Sequence, residues 1–326
     1  MIKRESVFIL GAGASRPFGY PTGRQLREKI LEDLKDPESL NLAKDSNEYL
    51  ERVVRFQRFE EMGFKKKDVL SFRDAFNRSI RYSIDAFLED RDEFIPLGKR
   101  AIADILIPCE DEEVLFNTDD AKIRNWFAYL INKLKSNISN FLENKISFIT
   151  FNYDRSLEHF LYNHFVNAFK TTQEEVIKLI SKIPIIHVYG KMNDLDWQSP
   201  EGRAYSVKYN SQELSKAAEK ISIVSEKNLD IESSPDFKHA HQLLEKARNV
   251  YFLGFGYDEN NLNRLKLNQP GNASFWQNKS NIVGTNHQLD FLARSAVNRY
   301  FSGKMFQFGP VNSDILDFLK QYLIVD

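Results

Sequence analysis

The chain has 326 residues, with 45 Lys and Arg against 46 Asp and Glu, so its formal net charge is −1. That balance excludes the broad basic field that holds a polyanion, and the length allows two ordinary domains or one with large insertions. The single cysteine, Cys109, excludes an internal disulfide framework and any four-cysteine zinc site, and a reducing compartment suits it best.

The opening MIKRESVFILGAG holds too short an apolar run for a signal peptide, and no later stretch approaches a membrane span. A cytoplasmic protein with neither membrane nor direct nucleic-acid contact is expected. Val7, Phe8, Ile9 and Leu10 run straight into Gly11-Ala12-Gly13-Ala14-Ser15, the pattern of a buried strand ending in a tight small-residue loop. Glycine lacks a Cβ and tolerates positive φ, so such a loop can bring backbone N–H groups close to a phosphate. A strand-to-helix turn with no ligand is the plain alternative.

Thr22-Gly23 precedes a helical pattern, Arg24–Leu34, in which Leu26, Ile30 and Leu34 share one face. From Leu34 to Lys145 the chain reads as helix after helix, with Phe56, Phe59, Phe64, Val69, Phe72, Phe76, Ile80, Ile84, Phe87 and Leu88 at three- and four-residue spacings. Residues 25–145 are therefore expected to form a helical insertion or subdomain, with loops at Asp36–Ser39 and Glu110–Glu113 and a solvated helix end at Lys65-Lys66-Lys67.

A second strand is predicted at Ile146–Phe151, ending in Asn152-Tyr153-Asp154 and followed by a helix carrying Leu157, Phe160, Leu161 and Phe165. Ile183–Tyr189 reads as a third strand. A mixed region over 191–248 has weak helical signals at Ser211–Val224 and Phe237–Ala247. Asn249–Phe255, Asn281–Asn286 and Lys304–Phe308 supply three more strands, and Ser313–Tyr322 a last helix. Residues 1–24 and 146–326 are thus expected to form one α/β domain: a Rossmann-like parallel sheet covered on both faces. Ligands of such sheets bind at the carboxyl ends of the strands. The small and polar clusters Gly11–Ser15, Asn152–Asp154, Gly254–Tyr257 and Gly284–Asn286 all fall there.

A P-loop needs Gly-Lys-Ser/Thr, and this loop continues Ser15-Arg16-Pro17. The dehydrogenase fingerprint needs a third glycine where Arg16 stands, and an acidic strand end about twenty residues on, where helix is expected instead. The loop with Gly19-Tyr20-Pro21 and Arg24 resembles the sirtuin NAD-binding signature. Thr150-Phe151-Asn152-Tyr153-Asp154 resembles that family's Thr-x-Asn-x-Asp motif, and the later Gly-Phe-Gly-Tyr and Gly-Thr-Asn turns follow in a similar order. Two departures count against deacylation: the four-cysteine zinc module cannot be built, and Thr22 stands where an acidic residue usually follows the Gly-x-Pro. The chain is more similar to the bacterial sirtuin-like group of anti-phage defence. That resemblance implies hydrolysis of NAD+ to nicotinamide and ADP-ribose, often beside a HerA-type ATPase or an Argonaute-like partner. An NADase needs restraint, so the helical regions are expected to mediate homo-oligomerisation or docking to a partner; no metal is expected, since His159, His164, His239, His241 and His287 have no spacing that completes a metal site. A non-catalytic module that senses NAD+ or ADP-ribose is the alternative, with protein deacylation behind it.

Breaking the nicotinamide–ribose bond builds oxocarbenium character on the sugar, so the site must hold the pyrophosphate, shield the cation and orient a water. The backbone of Gly11, Ala12, Gly13, Ala14 and Ser15, with Pro21 and Arg24, is expected to take the first task. Asn152 is expected to position a ribose hydroxyl and the water, and Asp154 the carboxamide or the loop beside it. Asp154 could also serve simply as the cap of the helix at Arg155. His187 is the expected base. Strict alignment sets Tyr189 in that position, and residues two apart on a strand share a face, so Tyr189 is its rival. Gly254, Gly256 and Tyr257 suit a second phosphate or ribose contact, and Asn286 the adenine-side ribose.

Overall fold

The computed structural model describes residues 1–119, 124–134, 140–206, 210–223, 234–267, 279–287, 289, 291–301 and 306–326. Its centre is β1, Ser6–Leu10, buried along its whole length. A strand apolar on both faces has no solvent side, so it must be sandwiched, and it lies between β2, Ile146–Thr150, and β4, Asn249–Leu253, parallel to both. Phe8 stacks between Phe148 at 5.3 Å and Tyr251 at 5.0 Å, an aromatic row across the three central strands. With β3 (Ile185–His187), β5 (Asn281–Asn286) and β6 (Gln307–Val311), the sheet has six strands in the order β3-β2-β1-β4-β5-β6. Every pairing is parallel, and the order is that of Rossmann nucleotide-binding folds.

The connection from β1 to β2 carries helices α1 (Gly23–Asp33), α2 (Asn47–Glu61), α3 (Lys66–Arg78), α4 (Ile84–Leu88), α5 (Ile95–Leu106), α6 (Glu112–Leu115) and α7 (Trp126–Leu134). The phenylalanines spaced along this stretch pack on one another: Phe72 and Phe87 are 5.9 Å apart, Phe76 and Phe87 4.9 Å. Nine residues of α5 are buried, and this helix packs against α1, α3 and α4. Thr22 and Gln25 form a capping box on α1, which gives a structural use to the position where the resemblance expected an acidic side chain. No helix among the described residues is long and apolar enough to cross a membrane.

Along the rest of the chain lie α8 (Ser156–Ala168), α9 (Gln173–Ile180), α10 (Ser211–Glu219), α11 (Pro235–Lys246), α12 (Glu259–Arg264), α13 (Phe291–Arg299) and α14 (Ile315–Tyr322). Helices α9, α12 and α13 go beyond the predicted elements. Strand β3 is shorter than Ile183–Tyr189 because the chain turns at Gly190, whose φ is +67°, and the Tyr189 and Lys191 backbone bonds residues 220–222 instead. The sixth strand starts later than Lys304–Phe308, at Gln307; Lys304 lies outside the described residues, as does Val224 at the end of the other predicted range.

The Glu110–Glu113 stretch, expected as a loop, leads into α6 at Glu112; Asp111, Glu112 and Glu113 are exposed, and Glu110 is not. Glu110 is fully buried, its Oε1 accepting from Arg155 at 2.6 Å and from Arg203 at 2.6 Å. Arg155 also donates to the backbone oxygens of Asp194 at 2.9 Å and Arg203 at 2.7 Å, so one guanidinium ties the helical layer, β2 and the 194–204 loop together. Removing the carboxylate that two buried guanidiniums share leaves both of their charges uncompensated. Glu110→Leu is expected to cost about 3–5 kcal/mol, measured by denaturant unfolding at neutral pH.

Candidate functional site

The strand order reverses at β1, so a crevice is expected outside the carboxyl ends of β1 and β4. Two loops meet there. Gly13 donates to the Gly254 oxygen at 2.9 Å and Gly11 to the Leu253 oxygen at 3.0 Å. The loops press backbone on backbone: a Cβ on Gly11 would lie 2.6 Å from the Gly254 oxygen, and one on Gly254, whose φ is +56°, would lie 2.2 Å from the Ala14 nitrogen. Trp126 of α7 adds a bond from its indole N–H to the Ala14 oxygen at 2.8 Å.

This packing changes the role of the first loop. Ala14 N–H is taken by the Gly11 oxygen and Ser15 N–H by the Ala12 oxygen, so with Gly11 and Gly13 four of the loop amides already have partners. Ala12 N–H has none among the described residues. The glycines are required by loop-on-loop contact, whatever they also do for a ligand. Arg24 lies outside this arrangement, its side chain 82% exposed and paired with Glu28 at 3.1 Å. Arg16, which sequence reasoning used only to exclude a fingerprint, is the guanidinium at the loop's edge, 3.4 Å from His287 beyond β5.

Beside the loop, the end of β2 brings Asn152 and Asp154 onto Ser15. Asn152 Nδ2 donates to Ser15 Oγ at 3.0 Å and to the Gly11 oxygen at 3.0 Å; Ser15 Oγ donates to Asp154 Oδ2 at 2.5 Å. Asp154 Oδ1 accepts from Ser156 N–H at 3.1 Å, an Asx turn into α8, which begins one residue later than the predicted cap placed it. Burial pushes the Asp154 carboxyl up, against the hydrogen bonds from Ser15 and Ser156.

His187 and Tyr189 do not form a shared face. The His187 ring lies between two acceptors, Nδ1 3.0 Å from the Asn152 backbone oxygen and Nε2 2.9 Å from Glu158 Oε1. It therefore braces the backbone of Asn152 from behind. Tyr189 points elsewhere, donating to Asn261 Oδ1 at 2.5 Å and accepting from Arg264, which also pairs with Glu89 at 2.7 Å. The two part because the strand ends at His187 and the chain turns immediately afterwards.

Pro21 lines a cavity of about 80 Å³ with Ala12, Ser15, Asn152 and Asp154, and Asp85 of α4 completes its wall. Gly256 borders open space and, with Tyr257, lines a separate hollow of about 480 Å³ that reaches α12 and α13. The Tyr257 side chain itself is buried, its hydroxyl donating to the Thr285 oxygen at 2.9 Å between β4 and β5. Asn286 is buried at the end of β5; Nδ2 donates to the Gly309 oxygen at 3.3 Å, and Oδ1 has no partner among the described residues. No group of three or more His, Cys, Asp or Glu side chains among the described residues converges as metal ligands would.

The chain matches no protein-family model and none of the curated proteins.

Two residues at the site escaped sequence reasoning. Asp85 sits in an ordinary helical stretch, SIDAFLED, with nothing to set it apart. Glu158 did leave a signal: it falls among Leu157, Phe160 and Leu161, and an acid amid buried positions needs a partner. Burial works against its charge, but His187 and Lys191, the latter at 3.4 Å, prevail and hold the carboxyl well below the usual range. A depressed carboxyl contributes stability above its unfolded pKa of about 4.3 and loses it as pH falls through the folded value. Glu158→Gln is thus expected to be less stable than the native chain at about pH 6, with the gap narrowing below about pH 4, in urea unfolding across that range.

Proposed function

We propose that the protein is an NAD+ glycohydrolase, cleaving the bond between nicotinamide and ribose at the carboxyl ends of β1 and β2. One observation carries this reading: Asn152, Asp154 and Ser15, from two different strand ends, converge as one hydrogen-bonded group on a cavity beside the strand-order reversal. The sirtuin-like order of the motifs supports the choice of nucleotide.

In the proposed step the C1′–N bond breaks and its electron pair stays with nicotinamide, which leaves neutral. Water adds to C1′ and gives up a proton. Asn152, able to donate and accept in fixed directions, aligns the ribose and the water. Asp154 opposes the cationic sugar and is the nearby carboxylate able to receive the proton. His187, held between Glu158 and the Asn152 oxygen, is a positioning residue in this scheme. Ala12 N–H and Arg16 face the pyrophosphate, and the hollow at Gly256 and Tyr257 takes the other half of the dinucleotide.

Small-molecule sites usually enclose about 300–1,000 Å³, so a cavity of about 80 Å³ must widen before a nicotinamide riboside enters. Its walls include α4, which makes the helical layer the element to move. That requirement agrees with a protein kept quiet until a partner, a HerA-type ATPase or further copies of the chain, shifts the layer. The second reading is a module that binds NAD+ or ADP-ribose without turning it over.

Incubating the full chain with NAD+, alone and with a HerA-type partner, and separating the products is the deciding experiment. Nicotinamide and ADP-ribose are expected in equal amounts. Asn152→Ala and Asp154→Asn are each expected to lower kcat about a hundredfold or more. Intact NAD+ under every condition overturns the reading, and tight binding without product replaces it with the sensing one.

A further inference from the structure

The cavity has a second carboxylate, supplied from outside the sheet. Asp85 lies in the first turn of α4 and lines the same cavity as Ser15, Asn152 and Asp154. Tyr153, the residue between Asn152 and Asp154, donates its hydroxyl to Asp85 Oδ1. The segment that presents the two β2 side chains therefore also fixes this carboxylate opposite them. Helix α4 is anchored by the buried Ile84, Phe87 and Leu88, and Ser83 caps it through the Ala86 N–H at 3.2 Å.

No cation pairs with Asp85 among the described residues. The nearest guanidinium by electrostatic influence, Arg264, is directed to Glu89 and to the Tyr189 hydroxyl. Inside a cavity without a counter-ion the charged form of a carboxyl is disfavoured, and a ligand that brings positive charge favours it. The ligand proposed above does so twice, in the pyridinium ring of NAD+ and then in the oxocarbenium that forms as the ring departs.

We infer that Asp85 contacts the nicotinamide riboside end of the substrate and selects for its positive charge. The inference rests on the NAD+ reading and adds a residue and a basis for selectivity to it. On this view the helical layer contributes part of the site, and an opening of α4 withdraws the carboxylate as it widens the cavity.

NAD+ and NADH test the charge directly, because they share a scaffold and differ in the charge of the ring. Binding of each is measured by calorimetry to the full chain carrying Asn152→Ala, which removes turnover, with position 85 as Asp, Asn or Glu. With Asp85 native, NAD+ is expected to bind about tenfold or more tightly than NADH. Asp85→Asn is expected to bring the two within about twofold, and Asp85→Glu, which keeps the charge, to retain a preference.

An unchanged preference in Asp85→Asn overturns the inference, and so does an equal loss of affinity for both forms, which would mark a packing role. Either result leaves the glycohydrolase reading standing if the native chain releases nicotinamide. A charge preference that depends on Asp85, in a native chain that releases none, upholds the inference and removes the glycohydrolase. The titrations are run on the full chain alone and with the HerA-type partner, and binding of neither dinucleotide under both conditions overturns both. Asn can still accept the Tyr153 hydroxyl, so folding is expected to survive; should it not, Asp85→Ser, equally neutral and smaller, is measured in its place.

Discussion

The contact between the loops after β1 and β4 is the constraint on which the rest of the site depends. Backbone there lies so close that Gly11, Gly13 and Gly254 have no room for a Cβ, and Gly254 must also hold φ at +56°. The contact fixes where Ser15 falls, and Ser15 is the hydroxyl on which Asn152 and Asp154 both converge. The glycines thus act on the candidate chemistry at one remove. They set the position of a hydroxyl whose two partners come from a neighbouring strand.

Around that contact, each functional side chain is held by a residue whose own charge is satisfied elsewhere. His187 fixes the Asn152 backbone and is itself held by Glu158, whose charge is in turn balanced by Lys191. Arg155, next to Asp154 in sequence, is immobilised by Glu110 and by backbone oxygens of the 194–204 loop. Such chains of support keep side chains from relaxing into alternative rotamers, which is what a site acting by orientation requires. They also make the helical layer part of the site, since Glu110, Asp85 and Trp126 all come from the connection between β1 and β2.

The strands were legible in the sequence because a buried parallel strand is a short apolar run with a small or polar residue after it. β1, β2, β4 and β5 lie within a residue or two of their predicted ranges. β3 was overestimated because Val188 and Tyr189 are apolar and buried without being paired in the sheet; burial and pairing leave the same mark on a sequence. Motif positions put Asn152 and Asp154 at one strand end and Ser15 at another, but the bonds of the Ser15 hydroxyl to both side chains were not legible from them. The engagement of His187 was not either, since its partner Glu158 lies on a helix 29 residues away. Nor was Asp85, which reaches the cavity only through the fold of the helical layer.

The helical layer is what separates this site from a bare Rossmann crevice. A crevice between two loops is open to water, and a carboxylate there is screened and weak against a developing cation. Helix α4 closes over the end of β2, with the Tyr153 hydroxyl bound to Asp85, and leaves a cavity of about 80 Å³. Burial pushes the Asp85 and Asp154 carboxyls upward, Asp154 being buried and Asp85 half-buried. The narrowness that brings these carboxylates close to a cation also restricts its entry. A site built in this way takes both a carboxylate and its narrowness from one element, so control over the proposed reaction would reside in the position of α4.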